Sequence, residues 1–136
     1  MSRARNIVHV ESATQAAEII RAELPKEQKE ERVFVLPLDT NGKMLAKPIL
    51  VSVGHQDGTT TIDAGAIFRD ALKAGAEEII VAHNHPSGNT TPSKADIAAT
   101  RELKDLAKRL DVVFLDHLVV GDGEDNSFVS LAEFDN

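Results

Sequence analysis

Residues 79–96 read IIVAHNHPSGNTTPSKAD and combine an apolar segment, two histidines, a loop and the start of a helix. The apolar residues 79–82 are typical of a central strand that is buried on both faces. His83 and His85 follow two positions apart, so their side chains share one face if the backbone stays extended. This spacing predicts two imidazoles at the end of a strand, where α/β sheets collect their functional residues.

The second half of the stretch predicts a loop and a helix start. Residues 86–92 contain two prolines and one glycine, which interrupt strands and helices alike. Ser93 is a typical N-cap residue, and Asp96 then falls at the third position of a helix that runs to about Leu110. The complete spacing is H-x-H-x₇-S-x₂-D. Two imidazoles and one carboxylate leave a tetrahedral position for water, which is the arrangement of a catalytic rather than a structural zinc site.

Each of these residues also has a purely structural interpretation. An isolated H-x-H is as often incidental as functional. Asp96 in a first helical turn stabilises the helix dipole without any metal, Ser93 is explained by capping alone, and Gly88 serves the turn. Structural and functional roles are nevertheless compatible, because a helix N-terminus beside a metal presents N–H groups to an oxyanion. The combined spacing favours a metal site.

The flanking sequence predicts a mixed sheet with helices packed on its faces. Ser12 begins a capping box, Pro25 ends the helix that follows, and Pro37 suggests that its own strand lies at an edge or carries a bulge. In chain order we predict a helix at 13–24, strands at 33–38 and 44–53 joined by a turn at 39–42, a loop at 54–60, a helix from 64 to Gly75 capped by Asp63, a strand at 79–82, a helix at 94–110, and strands at 112–120 and 128–131.

The composition indicates an ordinary globular domain. The chain has 136 residues, of which 42% are hydrophobic and 27% are charged, and this fits one domain with a core of its own. The absence of cysteine excludes disulfides and thiolate metal sites. No apolar run approaches the roughly 20 residues of a membrane span. Residues 1–6 are polar and lack the apolar segment of a signal peptide, so we predict a cytoplasmic protein with no membrane partner.

The charge distribution argues against nucleic acid as the main partner. The formal net charge is −7, whereas phosphate binding requires a basic face. One predicted helix does carry a basic cluster, but acidic residues interrupt it (Arg101, Lys104, Lys108 and Arg109; Glu102, Asp105 and Asp111). This pattern indicates a solvated helix face of mixed charge.

Three further features stay open at this point. Hydrolysis by a metal-activated water needs a carboxylate base, and Glu30 and Glu31 both precede the strand at 33–38. Asp116 and His117 point to opposite faces of a predicted strand, so at most one of them faces the site. That residue either orients a ligand imidazole or has a structural role. The other two histidines are isolated, and we predict no function for them (His9 and His55).

Residues 81–88 (VAHNHPSG), the pair Pro92-Ser93 and Asp96 resemble the JAB/MPN metalloprotease family and its JAMM motif. The RadC-like branch of that family, which has Asn between the two histidines, is the most similar. Residues 115–121 (LDHLVVG) resemble the downstream strand of this branch, and residues 36–39 (LPLD) resemble its first hairpin. The resemblance covers residues 30–131.

This resemblance implies a fold and a chemistry. The fold is an α/β sandwich of three-layer type, with a twisted mixed sheet between helices, similar to that of cytidine deaminases. The activity is zinc-dependent hydrolysis of a peptide or isopeptide bond, with Zn²⁺ as the cofactor. The matching residues are His83, His85 and Asp96 as metal ligands, Ser93 as the residue that stabilises the oxyanion, and Glu31 as the general base. Glu30 remains the alternative one residue away.

The loops, the chain length and the resemblance together indicate a substrate, an alternative function and a domain organisation. Small polar loops at 54–60 and 88–91 suit an extended polypeptide or an isopeptide-linked chain as substrate. The alternative is a DNA-repair-associated protein of the RadC-like branch, either a metal-dependent nuclease or an accessory factor. RadC-like proteins carry an N-terminal helix-hairpin-helix region, whereas residues 1–30 predict one helix and a linker. We predict a single domain over 1–136, with residues 31–131 as its metal-site core, and the oligomeric state stays open.

Overall fold

The computed structural model describes residues 8–54, 62–121 and 128–132. Its elements follow the predicted order: α1 Ala13–Arg21, β1 Arg32–Leu38, β2 Ile49–Val53, α2 Ala64–Lys73, β3 Glu78–Asn84, α3 Lys94–Leu110, β4 Val113–Val120 and β5 Phe128–Ser130. Most of the predicted loop at 54–60, together with His55, lies outside the described residues. Across the three described ranges, no helix has both the length and the apolar character that a membrane crossing requires.

Five strands form one mixed sheet in the order β2-β1-β3-β4-β5. β3 and β4 run parallel, while the pairs β1–β2, β1–β3 and β4–β5 are antiparallel. Helix α1 packs on one face of the sheet, and helices α2 and α3 pack on the other. The predicted α/β sandwich with a mixed sheet between helices is therefore confirmed.

The central strands are buried on both faces, and their side chains alternate between the two helical layers. In β1, Val33 and Val35 pack towards α2 and α3, whereas Phe34 and Leu36 pack towards α1. Each buried aliphatic side chain contributes about 1.5–3 kcal/mol, so a slip of one residue in register would misplace every one of them. In β3, Val81 faces α2 and α3, and His83, two residues later, therefore projects towards the same layer.

The helix caps form as predicted. Ser12, Asp63 and Ser93 each accept a hydrogen bond from the backbone N–H three residues later. Beyond α2, Gly75 adopts a φ of +83°, which suits a residue that lacks a side chain. Helix α1 is shorter than predicted and ends at Arg21.

Pro37 corrects one prediction about the sheet. Strand β1 pairs on both sides, so Pro37 does not mark an edge strand. The Pro37 carbonyl accepts from the Leu45 N–H at 2.9 Å, on the side where β2 lies. The missing N–H of Pro37 points to this same side, where the ladder is irregular between the Val35–Ile49 pair and the Leu38–Met44 bridge. The second strand of the hairpin is accordingly shorter than predicted.

Candidate metal centre

Three side chains converge where β3 ends and α3 begins. His83 is near the end of β3, His85 follows that strand, and Asp96 lies in the first turn of α3. The two Nε2 atoms are 3.2 Å apart, and each is 3.2 Å from one oxygen of the Asp96 carboxylate. Each residue offers one ligand atom to a common centre. The structure thus brings together the three side chains that the spacing singled out.

The donor set fits a metal cation. The Nδ1 atom of His85 lies 2.8 Å from the Asn89 carbonyl oxygen, which can only accept, so this nitrogen carries the ring proton. The Nε2 atom of neutral His85 therefore directs a lone pair at the Asp96 carboxylate, which is also an acceptor. Two acceptors face each other favourably only when a proton or a cation lies between them. Imidazole and carboxylate ligands together suit a divalent transition metal.

The electrostatics of the cluster agree with this arrangement. Burial raises the pKa of Asp96, but the hydrogen bonds with His83 and His85 outweigh burial and hold that pKa well below its usual range. The hydrogen bond with Asp96 in turn raises the pKa of His85, against the opposing effect of burial. A proton and a metal cation therefore compete for the same position, so acidification is expected to weaken metal binding.

Ser93 and Asp96 form a reciprocal capping box at the start of α3. The Ser93 hydroxyl oxygen accepts from the Asp96 N–H at 3.0 Å, and the Asp96 carboxylate accepts from the Ser93 N–H at 2.9 Å. This pair of bonds orients the carboxylate that also contacts the imidazoles. The structural interpretation of both residues is correct, and it is compatible with a place in the cluster. Because the Ser93 oxygen acts as an acceptor in the cap, its own hydroxyl proton stays available for donation.

The two candidate bases differ sharply in their surroundings. Glu30 keeps 51% of its side chain exposed and forms an ion pair with Arg32 at 3.5 Å. Glu31 is only 9% exposed. Burial raises the pKa of Glu31, and the electrostatic influence of His83 and His85 opposes that rise. Glu31 directly precedes β1, whose Val33 pairs with His83, so of the two candidates it is the buried one near this end of β3.

Asn84 holds the segment that carries Glu31, and sequence reasoning missed it. Its buried side chain accepts from the Arg32 N–H at 2.6 Å and donates to the Glu30 carbonyl at 3.1 Å and to the Gln28 side chain at 3.0 Å. These bonds clamp the chain on both sides of Glu31. The one available signal was a polar amide at a buried strand position between two histidines.

Replacement of Asn84 by leucine tests this clamp. Leucine has a similar volume but leaves the Arg32 N–H and the Glu30 carbonyl unpaired, and each buried orphan costs about 1–3 kcal/mol. We expect the free energy of unfolding, measured in urea, to fall by about 2 kcal/mol or more. The control Gln28→Ala removes a side-chain partner of Asn84 but keeps both backbone bonds of the clamp, and it is expected to cost less than about 1 kcal/mol. A wild-type urea midpoint for Asn84→Leu would show that the clamp is not needed.

The structure also separates the roles of Asp116 and His117. His117 is fully buried, its Nε2 atom lies 2.9 Å from Nδ1 of His83, and burial lowers its pKa to about 3. Asp116 points to the opposite face, where it accepts from the Ser130 hydroxyl and the Ala132 N–H and so attaches β5 to β4. Of the two, His117 therefore contacts the imidazole of His83, and Asp116 holds β5 against β4.

Comparison with known proteins identifies the family. The sequence model of the RadC-like JAB domain matches residues 10–135, nearly the whole chain. The chain belongs to this family. The RadC-like domain is 36% identical to a UPF0758 protein of Clostridium perfringens over 128 residues, which cover 94% of the chain and 54% of the relative. It is also 36% identical to a UPF0758 protein of Roseiflexus castenholzii over 124 residues, 91% of the chain and 51% of the relative.

The matched region is only part of these relatives. A UPF0758 protein of Carboxydothermus hydrogenoformans is 39% identical over 104 residues, which cover 76% of the chain and 44% of that relative. The chain thus spans about half the length of the curated relatives it matches. These observations establish the RadC-like family and its mixed-sheet fold. They also show a triad that could bind a metal ion.

Proposed function

We propose that the RadC-like domain is a zinc-dependent hydrolase that cleaves a peptide or isopeptide bond. The observation that carries this proposal is the convergence of His83, His85 and Asp96 on one point, with the buried Glu31 beside them. Three protein ligands leave room for a fourth, exchangeable one, which is the property that separates catalytic from structural zinc sites. Two imidazoles and a carboxylate with no thiolate are typical ligands of hydrolytic zinc.

Each residue has a defined task in this proposal. His83, His85 and Asp96 would hold a zinc ion, which would supply Lewis-acid chemistry by polarising the scissile carbonyl and lowering the pKa of a water molecule. Glu31 accepts the proton of that water and later delivers it to the leaving amine. Burial raises the pKa of Glu31, which suits a group that must both take and return a proton near neutral pH. The hydroxyl of Ser93 donates a hydrogen bond to the developing oxyanion.

A polypeptide is the substrate class we favour. Residues 86–92 form an exposed to half-buried connection beside the cluster, and the ligand His85 is itself partly accessible at 18% of its side chain. An open approach of this kind accommodates an extended chain better than a small molecule, which would require an enclosing cavity. The formal net charge of −7 disfavours a polyphosphate substrate.

The proposal is tested by incubating the zinc-loaded domain with a mixture of linear peptides, isopeptide-linked peptides and DNA oligonucleotides. We expect zinc-dependent cleavage of an amide bond that a chelator abolishes and added Zn²⁺ restores. Cleavage of DNA with intact peptides would support the nuclease alternative instead. Failure to cleave any peptide at full zinc occupancy would contradict the proposal.

A further inference from the structure

A chain of hydrogen bonds runs inward from the candidate metal centre. The Nδ1 atom of His83 lies 2.9 Å from Nε2 of His117, and Nδ1 of His117 lies 2.7 Å from the Thr100 hydroxyl oxygen. The Thr100 hydroxyl also lies 2.9 Å from the backbone carbonyl oxygen of Asp96. His83 and His117 are fully buried and Thr100 is 5% exposed, so bulk water does not compete for these bonds.

A cation at the cluster would fix the direction of each bond in this chain. Coordination requires a lone pair on Nε2 of His83, so the ring proton of His83 is then on Nδ1 and is donated to Nε2 of His117. A neutral imidazole has a single ring proton, so His117 carries its own proton on Nδ1 and donates it to the Thr100 hydroxyl oxygen. The Thr100 hydroxyl in turn donates to the carbonyl oxygen of Asp96, which can only accept.

We propose that Thr100 and His117 are positioning residues that take up the Nδ1–H bond of His83 and so favour binding of a metal ion at its Nε2 atom. This inference rests on metal binding by the triad, which is part of the proposed function, but not on the reaction or its substrate. A neutral imidazole has two tautomers, and in one of them a proton occupies Nε2 and blocks coordination. A chain of acceptors on the Nδ1 side stabilises the other tautomer, in which Nε2 can coordinate.

The second imidazole ligand reaches the same tautomer through a different element. Nδ1 of His85 donates to the Asn89 carbonyl in the loop after β3, whereas the partner of His83 is a side chain of β4 that is held by α3. The chain from His83 also ends on the backbone of Asp96, whose carboxylate contacts the outer side of the same imidazole. His83 and Asp96 are thus linked on both sides of the ring, which makes their mutual geometry rigid.

The experiment compares Thr100→Val, which keeps the shape but lacks the hydroxyl, with Thr100→Ser, which keeps the hydroxyl. Histidine labelled with ¹⁵N reports each tautomer in long-range ¹H–¹⁵N spectra of the zinc-loaded protein. We expect Nδ1–H for both His83 and His117 in the wild type and in Thr100→Ser. In Thr100→Val the Nδ1–H of His117 has no acceptor, so the tautomer that coordination requires is less stable and zinc is expected to bind more weakly.

Zinc affinity supplies the second measurement, by competition with a chromophoric chelator. We expect Thr100→Val to bind zinc about 10- to 100-fold more weakly than the wild type, and Thr100→Ser to bind within a few-fold of it. The Nδ1–H signal of His85 serves as an internal control and is expected to stay unchanged in both variants, because its partner is a backbone carbonyl.

Two results would overturn the inference: an Nε2–H tautomer of His117 in the zinc-loaded wild type, or wild-type zinc affinity in Thr100→Val. The first is read on the unmodified protein, so it does not depend on whether the valine variant folds. Neither measurement uses a substrate. A protein with the expected tautomers and tight zinc binding but no hydrolysis would refute the proposed function and leave this inference intact.

Discussion

Replacement of His83 or Asp96 by alanine is expected to remove the bound zinc and to lower hydrolysis by several orders of magnitude. Each variant deletes one of three ligand atoms that lie within 4.8 Å of one another. Two remaining protein ligands hold zinc far more weakly, and all the catalytic steps we propose require the ion. The measurements are metal content of the purified protein by mass spectrometry and the initial rate on the peptide substrate.

The control for this prediction is His9→Ala. His9 is exposed, and its ring contacts the Asn41 carbonyl in the turn after β1 rather than the cluster. We expect stoichiometric zinc and a wild-type rate in this variant. Stoichiometric zinc in His83→Ala and Asp96→Ala, as in the wild type, would show that the ligand assignment is wrong.

Replacement of Glu31 by glutamine is expected to separate metal binding from catalysis. Glutamine keeps the size of the side chain but cannot take a proton from water, and a general base contributes about 10²- to 10⁴-fold to a rate. We therefore expect a loss of that order in kcat with unchanged zinc content. Glu30→Gln is the matched control, since Glu30 is exposed and paired with Arg32, and it is expected to keep the wild-type rate.

Glu31→Gln is also expected to make the metal-free protein more stable. Burial raises the pKa of Glu31 above its unfolded value, so the folded state disfavours the carboxylate. The sign of the linkage follows: at pH values above the unfolded pKa, ionised Glu31 lowers the free energy of unfolding. Neutral glutamine removes this penalty, and urea denaturation at neutral pH measures the gain in the free energy of unfolding.

The assignment of the general base has its own refutation. If Glu30→Gln lost activity while Glu31→Gln stayed active, Glu30 would be the base.

The sequence predicted those features whose physical cause is local. Helix caps at Ser12, Asp63 and Ser93 depend on bonds between residues three positions apart, and all three form. The buried strand that delivers His83 follows from a short apolar run bounded by a loop. These features can be predicted without distant partners, because they depend on the backbone and on residues close in sequence.

Pro37 shows where local reasoning fails. A proline within a strand lacks a ladder donor, and this favours an edge position or a bulge when only the sequence is considered. The structure instead places β1 inside the sheet. The proline is tolerated inside the sheet because its missing N–H faces an irregular part of the ladder, between the Val35–Ile49 pair and the Leu38–Met44 bridge.

By itself, the sequence determined the fold class, the order of the elements and the triad, whose members lie within one loop and its two flanking elements. The tertiary structure alone showed that Glu31 is buried whereas Glu30 is exposed, and it joined His117 to His83 across 34 residues. The Asn84 clamp closes over 54 residues in the same way. Contacts of this range depend on how β1, β3 and β4 align, and strand register is set by burial over the whole sheet rather than by any local pattern.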